Sequence, residues 1–172
     1  MSEYRFDAPA VRDRLVREIK NLADSQGFSR VVIGISGGKD STVTAALCAR
    51  ALGPENVFGV MMPDGEQKDI ADSQRVCEVL KINKRVVNIG AMHRALREVT
   101  DQNAITAGEG EFSIPYSRES DINVGPRLRM TAVRYIGQAI GARLAGTGNL
   151  SEATVGSKTC QKADCLPSEA PS

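Results

Sequence analysis

Between Ala8 and Ser25, Val11, Leu15, Ile19 and Leu22 recur at helical spacing with charges between them, and Gly27 follows. That pattern predicts an amphipathic helix ending near the glycine. Arg30–Ile35 is a short β-branched apolar run, the mark of a strand buried on both faces of a parallel sheet. Ser36–Ser41 breaks the run, and Thr42–Leu52 predicts a helix stopped by Gly53-Pro54. The same alternation repeats: a strand over Asn56–Met62, a helix over Lys68–Leu80, a strand over Arg85–Ile89 and a short helix over Ala91–Val99. Thr100–Asp121 is polar and without period, as in a long functional loop or a disordered one. A helix is expected over Asn123–Gly141, starting after Pro126, with Leu128, Ala132, Tyr135, Ile136 and Ala139 as its packing face. Arg143–Thr147 is the fourth expected strand. Strands alternating with helices predict an α/β fold: a doubly wound, mainly parallel sheet with helices on both faces. Ligands of such sheets bind at the carboxyl ends of the strands. The loops after Ile35 and Ala145 leave two such ends.

Composition narrows the partners. The 172 residues carry 22 Lys and Arg against 21 Asp and Glu, a net charge of +1, with only 4% aromatic residues. No basic block or aromatic stacking surface is present, so no nucleic-acid partner is expected and a small molecule is favoured. No stretch approaches the roughly 20 apolar residues of a membrane span, and the first residues do not form a secretion signal. Cys48, Cys77, Cys160 and Cys165 form no Cys-x-x-Cys pair, so a reducing, cytoplasmic setting is expected. A zinc site built from Cys160, Cys165 and His93 is the alternative use of these residues. His93 otherwise reads as a surface or capping histidine.

Ile35-Ser36-Gly37-Gly38-Lys39-Asp40-Ser41 is the strongest chemical signal. A strand passing through glycines into a helix offers free backbone N–H groups and the positive end of a helix dipole, both suited to phosphate. Ser36 and Ser41 add hydroxyls and Lys39 adds charge. Asp40 is at odds with an anion site unless it holds Mg²⁺ bridging to phosphate oxygens. The spelling is neither a Walker loop nor a Gly-x-Gly-x-x-Gly fingerprint.

Ser36–Ser41 resembles the pyrophosphate-binding loop of the N-type ATP pyrophosphatases, which cleave ATP between its α- and β-phosphates. Three further blocks are similar to ammonia-dependent NAD synthetases: Gly59–Gln67, Asn123-Val124-Gly125-Pro126-Arg127-Leu128-Arg129-Met130, and Gly146-Thr147-Gly148-Asn149-Leu150-Ser151-Glu152. The blocks stand in family order, and the resemblance covers about Val11 to Gly156. It implies an adenine nucleotide alpha hydrolase-like fold over residues 1–156. It also implies adenylation of nicotinic acid adenine dinucleotide by ATP, followed by displacement of AMP by ammonia. Ser36, Gly37, Gly38, Lys39, Asp40, Ser41, Met61, Gln67 and Thr147 would then bind ATP. Asp40 and Glu152 would be the catalytic carboxylates that hold Mg²⁺. Arg127 would contact the dinucleotide, and Arg129 would contact it or form a salt bridge. The long loop, which holds Phe112 and Tyr116, would contribute to the dinucleotide site near the subunit interface, with no motif fixing which residue meets the nicotinate ring, in a homodimer with Asn123–Gly141 as an interface element.

Residues 157–172 do not follow the family pattern, and the expectation is a truncated or altered end that keeps the phosphate loop and loses a lid. A non-catalytic nucleotide-binding homologue, or another ATP pyrophosphatase such as a tRNA-modifying enzyme, are the alternatives.

Overall fold

Successive residues of a strand point to opposite faces, so an apolar run buried throughout must be covered on both sides. The computed structural model, which describes residues 7–66, 70–102, 105–106, 111–112 and 117–147, bears this out. The elements run α1 (Ala8–Gln26), β1 (Val31–Gly34), α2 (Lys39–Leu52), β2 (Val57–Met61), α3 (Ile70–Leu80), β3 (Asn83–Val86) and α4 (Gly90–Gln102). They continue with β4 (Ile105–Thr106), β5 (Glu111–Phe112), α5 (Arg118–Ala139) and β6 (Arg143–Leu144). Val31, Ile33, Ile35, Val57 and Met61 pack under α2 and α3 with Ala45, Cys48 and Cys77. Val32 and Val60 face the other way, onto Val133 of α5. Ile33 and Val32 are both fully buried, one in each layer.

The four main strands lie in the order β3-β2-β1-β6, all parallel. β1 therefore has the second strand on one side and the last on the other. That reversal of strand order is the topological switch point at which open α/β sheets bind ligands. The Arg143 and Ala145 amides bond to the Arg30 and Val32 carbonyls at 2.9 Å, which sets β6 beside β1.

Local chemistry explains most boundaries. Asp7 caps α1 by accepting from the Ala10 amide at 3.0 Å, and Gly27 ends it in the left-handed conformation with φ 66°. The third strand lies two residues earlier than its apolar run suggests, because Asn83 joins the sheet and reaches back to the Glu55 carbonyl at 2.8 Å. The expected start of the last long helix is corrected by two turns. Ser117 accepts from the Ser120 amide at 3.2 Å, and Glu119 and Asp121 occupy the positive first turn. With that capping, the helix runs through Pro126 instead of starting at it. The supposedly aperiodic 100–121 stretch thus supplies the end of α4, the antiparallel β4–β5 pair and the start of α5.

The expected packing face of that helix is also corrected. Tyr135 is 75% exposed and Ala139 is exposed. The helix instead buries Gly125, Ala132, Val133 and Gly137. Small residues let it lie closer to the sheet: a Cβ at Gly137 would sit 2.7 Å from Val32 Cγ1 and 3.1 Å from the Ala142 carbonyl oxygen. Gly59 does the same on the opposite layer, where a Cβ would meet Cys77 Sγ at 2.9 Å and Ile35 Cγ1 at 3.0 Å.

Candidate functional site

The Ser36–Ser41 turn joins the carboxyl end of β1 to the amino end of α2, as its composition predicts. Gly37 takes φ 78°, a conformation open to glycine and costly for other residues. A Cβ there would also press against Ser73 Oγ of α3 at 3.3 Å. The hydroxyls form an ordered chain. Ser41 Oγ donates to the Gly38 carbonyl at 3.1 Å. Its single proton is thereby committed, so Ser36 Oγ, 3.1 Å away, donates to Ser41 Oγ. Ser36 Oγ in turn accepts from the Gly38 amide at 3.3 Å. Ser41 is 4% exposed and braces the turn from below, whereas Ser36, Gly38, Lys39 and Asp40 face solvent. The first-turn amides of Lys39, Asp40 and Ser41 have no earlier helical carbonyl to bond and project from the helix end. No side chain caps α2 at Gly38, which leaves that end open to an anion.

Beside this turn lies a cleft of about 280 Å³, lined by Ser36, Met61, Met62, Pro63, Ser73 and Arg129 among others. Its far wall continues from β2 into Pro63-Asp64-Gly65. The Ile89 amide bonds to the Pro63 carbonyl at 2.8 Å, and Asn88 brackets Gly65 by bonding its N–H at 3.1 Å and its carbonyl at 2.9 Å.

The structure thus brings together Ser36, Gly37, Gly38, Lys39, Asp40 and Ser41, with Met61 in the adjoining cleft. Thr147 is exposed and follows β6, so it leaves the carboxyl end of the strand next to β1. Arg127 is not among the cleft residues; it is exposed and donates to the Asn123 carbonyl of its own helix at 2.7 Å. Arg129 lines the cleft and donates from Nε to the Met62 carbonyl at 3.0 Å. The helical spacing of α5 separates the two: residues two apart point to different faces. Gln67, Glu152 and Tyr116 lie outside the described residues. Among the described residues, no three His, Cys, Asp or Glu side chains are grouped to hold a metal ion. Asp40 nevertheless fits Mg²⁺, which takes one or two carboxylates and completes its shell with phosphate oxygens and water.

Two groups escape the sequence pattern. Ser73 is buried against the turn at 3% exposure. His93, expected at the surface, is held between Asp64 and Asp121. As the one histidine of the chain it was a visible signal, but its two partners are 29 and 28 residues away. Cys48 and Cys77 are free and buried, and burial pushes both thiols up, as in inert core cysteines. Among the described residues, no helix is long and apolar enough to cross a membrane.

The sequence profile of the NAD synthase family matches residues 11–161. The NH(3)-dependent NAD(+) synthetase of Archaeoglobus fulgidus is 36% identical over 149 residues, covering 85% of this chain and 55% of that protein. The Pyrococcus horikoshii enzyme of the same name is 34% identical over 144 residues, covering 84% and 51%. Among solved structures, the NH3-dependent NAD synthetase from Campylobacter jejuni superposes with a TM-score of 0.73 at 26% identity, over 88% of this chain and 61% of that one. The glutamine-dependent NAD+ synthetase from Acinetobacter baumannii, in complex with ADP, gives 0.77 at 25% identity, over 93% and 29%. The chain spans about half the length of the curated relatives it matches. With the four sequence blocks, the sheet order and these matches in agreement, the chain belongs to the NAD synthase family.

Proposed function

We propose that this chain carries the ATP site of an enzyme that converts nicotinic acid adenine dinucleotide to NAD, with ammonia as nitrogen donor and AMP and pyrophosphate as products. The observation that carries the reading is the Ser36–Ser41 turn, open at the amino end of α2 and lying at the switch point of a NAD synthase-family sheet. A carboxylate is a poor acyl donor. Its attack on the α-phosphorus of ATP releases pyrophosphate and forms a mixed anhydride. Ammonia then adds at the carbonyl carbon, and AMP leaves with the bonding electron pair. Such chemistry calls for positioning and charge neutralisation, with no side-chain nucleophile.

The residues fit those tasks. The first-turn amides of α2 would bind the β- and γ-phosphates, with Lys39 adding charge and Ser36 turning its single proton from Ser41 Oγ to a phosphate oxygen. Gly37 and Gly38 would let the backbone approach closely. Asp40, with Glu152 by resemblance, would hold Mg²⁺, which when bound supplies positive charge to the departing pyrophosphate. Thr147 would contact ATP near the α-phosphate, and Met61 and Gln67 would lie at its adenosine. Arg127 would serve the dinucleotide. A cytoplasmic setting agrees with the free, buried Cys48 and Cys77.

The test is incubation with ATP, Mg²⁺, nicotinic acid adenine dinucleotide and ammonium, following NAD and AMP, with ATP binding measured in parallel. NAD and AMP formed in equal amounts support the reading. ATP binding without turnover points to a nucleotide-binding homologue, and AMP release that depends on tRNA would sink the reading.

Arg129 and Arg127 should separate in the same binding assay. Arg129→Ala removes a charged group from the cleft and is expected to weaken ATP binding by about 1.5–3 kcal/mol, roughly 10- to 150-fold. Arg127→Ala is expected to change ATP affinity by less than about 0.5 kcal/mol and to act on the dinucleotide instead. Equal losses of ATP affinity in the two variants would contradict this.

A homodimer is proposed through the face shared by α4 and α5. Met92, Leu96 and Val99 on α4 and Tyr135 on α5 are apolar and exposed. Sedimentation should give twice the chain mass for the wild type and a monomer for Tyr135→Glu. A monomeric wild type at micromolar concentration would refute it.

A further inference from the structure

His93 stands on α4 with a carboxylate at each ring nitrogen. Nδ1 lies 2.7 Å from Asp64 Oδ2, and Nε2 lies 3.0 Å from Asp121 Oδ1. Both partners are acceptors when ionised. A neutral imidazole donates from only one nitrogen and would turn a lone pair toward the other carboxylate. An imidazolium donates to both. The geometry by itself therefore selects the charged ring. The site is partly sheltered: the side chains of His93, Asp121 and Asp64 are 16%, 23% and 32% exposed.

The three residues come from three separate elements. Asp64 belongs to the segment after β2, immediately beyond Met62 and Pro63 of the cleft wall. Asp121 is in the first turn of α5, and the same helix carries Arg129 into the cleft two turns later. One further cation bonds into the network, and a second lies near it. Arg97 of α4 bonds to Asp121 Oδ2 at 2.7 Å. Arg129 Nη1 and Asp64 Oδ2 lie 3.3 and 3.9 Å from the point a Cβ would occupy at Gly125. His93 thus ties the β2 side of the cleft to the helix that forms the opposite side.

We propose that His93 is a positioning residue for nucleotide binding: a doubly bonded imidazolium staple that holds Asp64 and the start of α5 together, keeps Arg129 in the cleft, and releases both when it loses its proton. This rests on the reading of the cleft as a nucleotide site. The hydrogen bond that His93 donates to Asp64 raises its pKa above the ordinary 6.5; partial burial opposes the shift, and the charge of Asp64 and the contact with Asp121 reinforce it. A raised folded-state pKa places the staple's contribution at full strength below the ordinary value near 6.5. The contribution is lost as the pH rises through the raised value.

The chain has one histidine, so its imidazole can be followed without assignment in ¹⁵N-labelled protein by nuclear magnetic resonance. The ring is expected to titrate above 6.5 in the wild type and to fall toward 6.5 in Asp64→Asn. ATP affinity, measured by calorimetry from pH 6 to pH 9, is expected to decline several-fold more in the wild type than in His93→Gln. The Gln variant should bind weakly at pH 6, with only the residual slope of ATP itself. Asp64→Asn leaves the ring in place and should weaken binding at neutral pH, so the test does not depend on one variant folding. A ring titrating at or below 6.5, or a His93→Gln chain with wild-type affinity and pH profile, would overturn the proposal. Absence of ATP binding by the wild type at every pH would instead overturn the nucleotide reading beneath it. In that case the imidazole titration would still show whether the staple forms.

Discussion

Gly137→Val is expected to destabilise the chain by about 3 kcal/mol and to lower its thermal midpoint by roughly 6–12 °C. At an exposed helical site, replacing glycine is favourable by up to about 1 kcal/mol, because glycine is the poorest helix former apart from proline. Here the sign reverses. A Cβ at 137 would stand 2.7 Å from Val32 Cγ1, and Val32 is fully buried in the central strand, with no room to turn away. The second obstacle, the Ala142 carbonyl oxygen at 3.1 Å, is backbone, fixed by the turn in which the Ala142 amide donates to the Gly137 carbonyl at 2.8 Å. The helix would have to lift from the sheet, opening the layer that Val60 and Val133 fill. Gly141→Ala is the comparison. A Cβ there meets nothing, so its cost is the left-handed φ of 65° alone, about 1–2 kcal/mol. Scanning calorimetry that found the two variants equally stable would remove close helix packing as the reason for Gly137.

Asp40→Ala is expected to abolish the gain in ATP affinity that Mg²⁺ provides, a loss of at least about tenfold, while leaving the fold nearly unchanged. Asp40 is exposed in the first turn of α2, where a carboxylate contributes only about 0.3–1 kcal/mol through the helix dipole. Its larger consequence concerns the phosphates. Without a cation, a carboxylate beside the Ser36–Ser41 turn repels them. With Mg²⁺ it becomes the anchor that joins metal to anion. The variant should therefore bind ATP in the presence of chelator at least as tightly as the wild type, and lose the advantage when Mg²⁺ is added. Calorimetric titrations with and without Mg²⁺ decide this. A variant that keeps the wild-type difference between the two conditions would exclude Asp40 from the metal site.

The order of strands and helices was legible because parallel strands are apolar throughout and their helices amphipathic, so each boundary is a change of period. Val31–Gly34 and Val57–Met61 are the clear examples. The phosphate turn was legible for a similar reason: its glycines, hydroxyls and acid are consecutive, and a strand–turn–helix is a local structure. The rotation of α5 was not. Ala132 and Ile136 lie on both the expected face and the observed one, and large residues such as Tyr135 outweigh Gly137 in any hydrophobic pattern. Only the sheet surface shows that a glycine is the residue that fits against Val32. The start of α5 was missed because Pro126 is a strong stop signal, and the Ser117 cap with Glu119 and Asp121 lies in a stretch that reads as polar loop.

The chain's own residues, taken in order, determined the α/β class, the phosphate turn and the membership in a family, because each is carried by neighbours in sequence. Tertiary structure alone decided three things: that β6 lies beside β1 and makes the turn a switch point, that Arg129 and not Arg127 lines the cleft, and that His93 joins Asp64 to Asp121. These contacts bring together residues from 28 to more than 100 positions apart, and no local pattern encodes which distant side chain will complete a hydrogen bond.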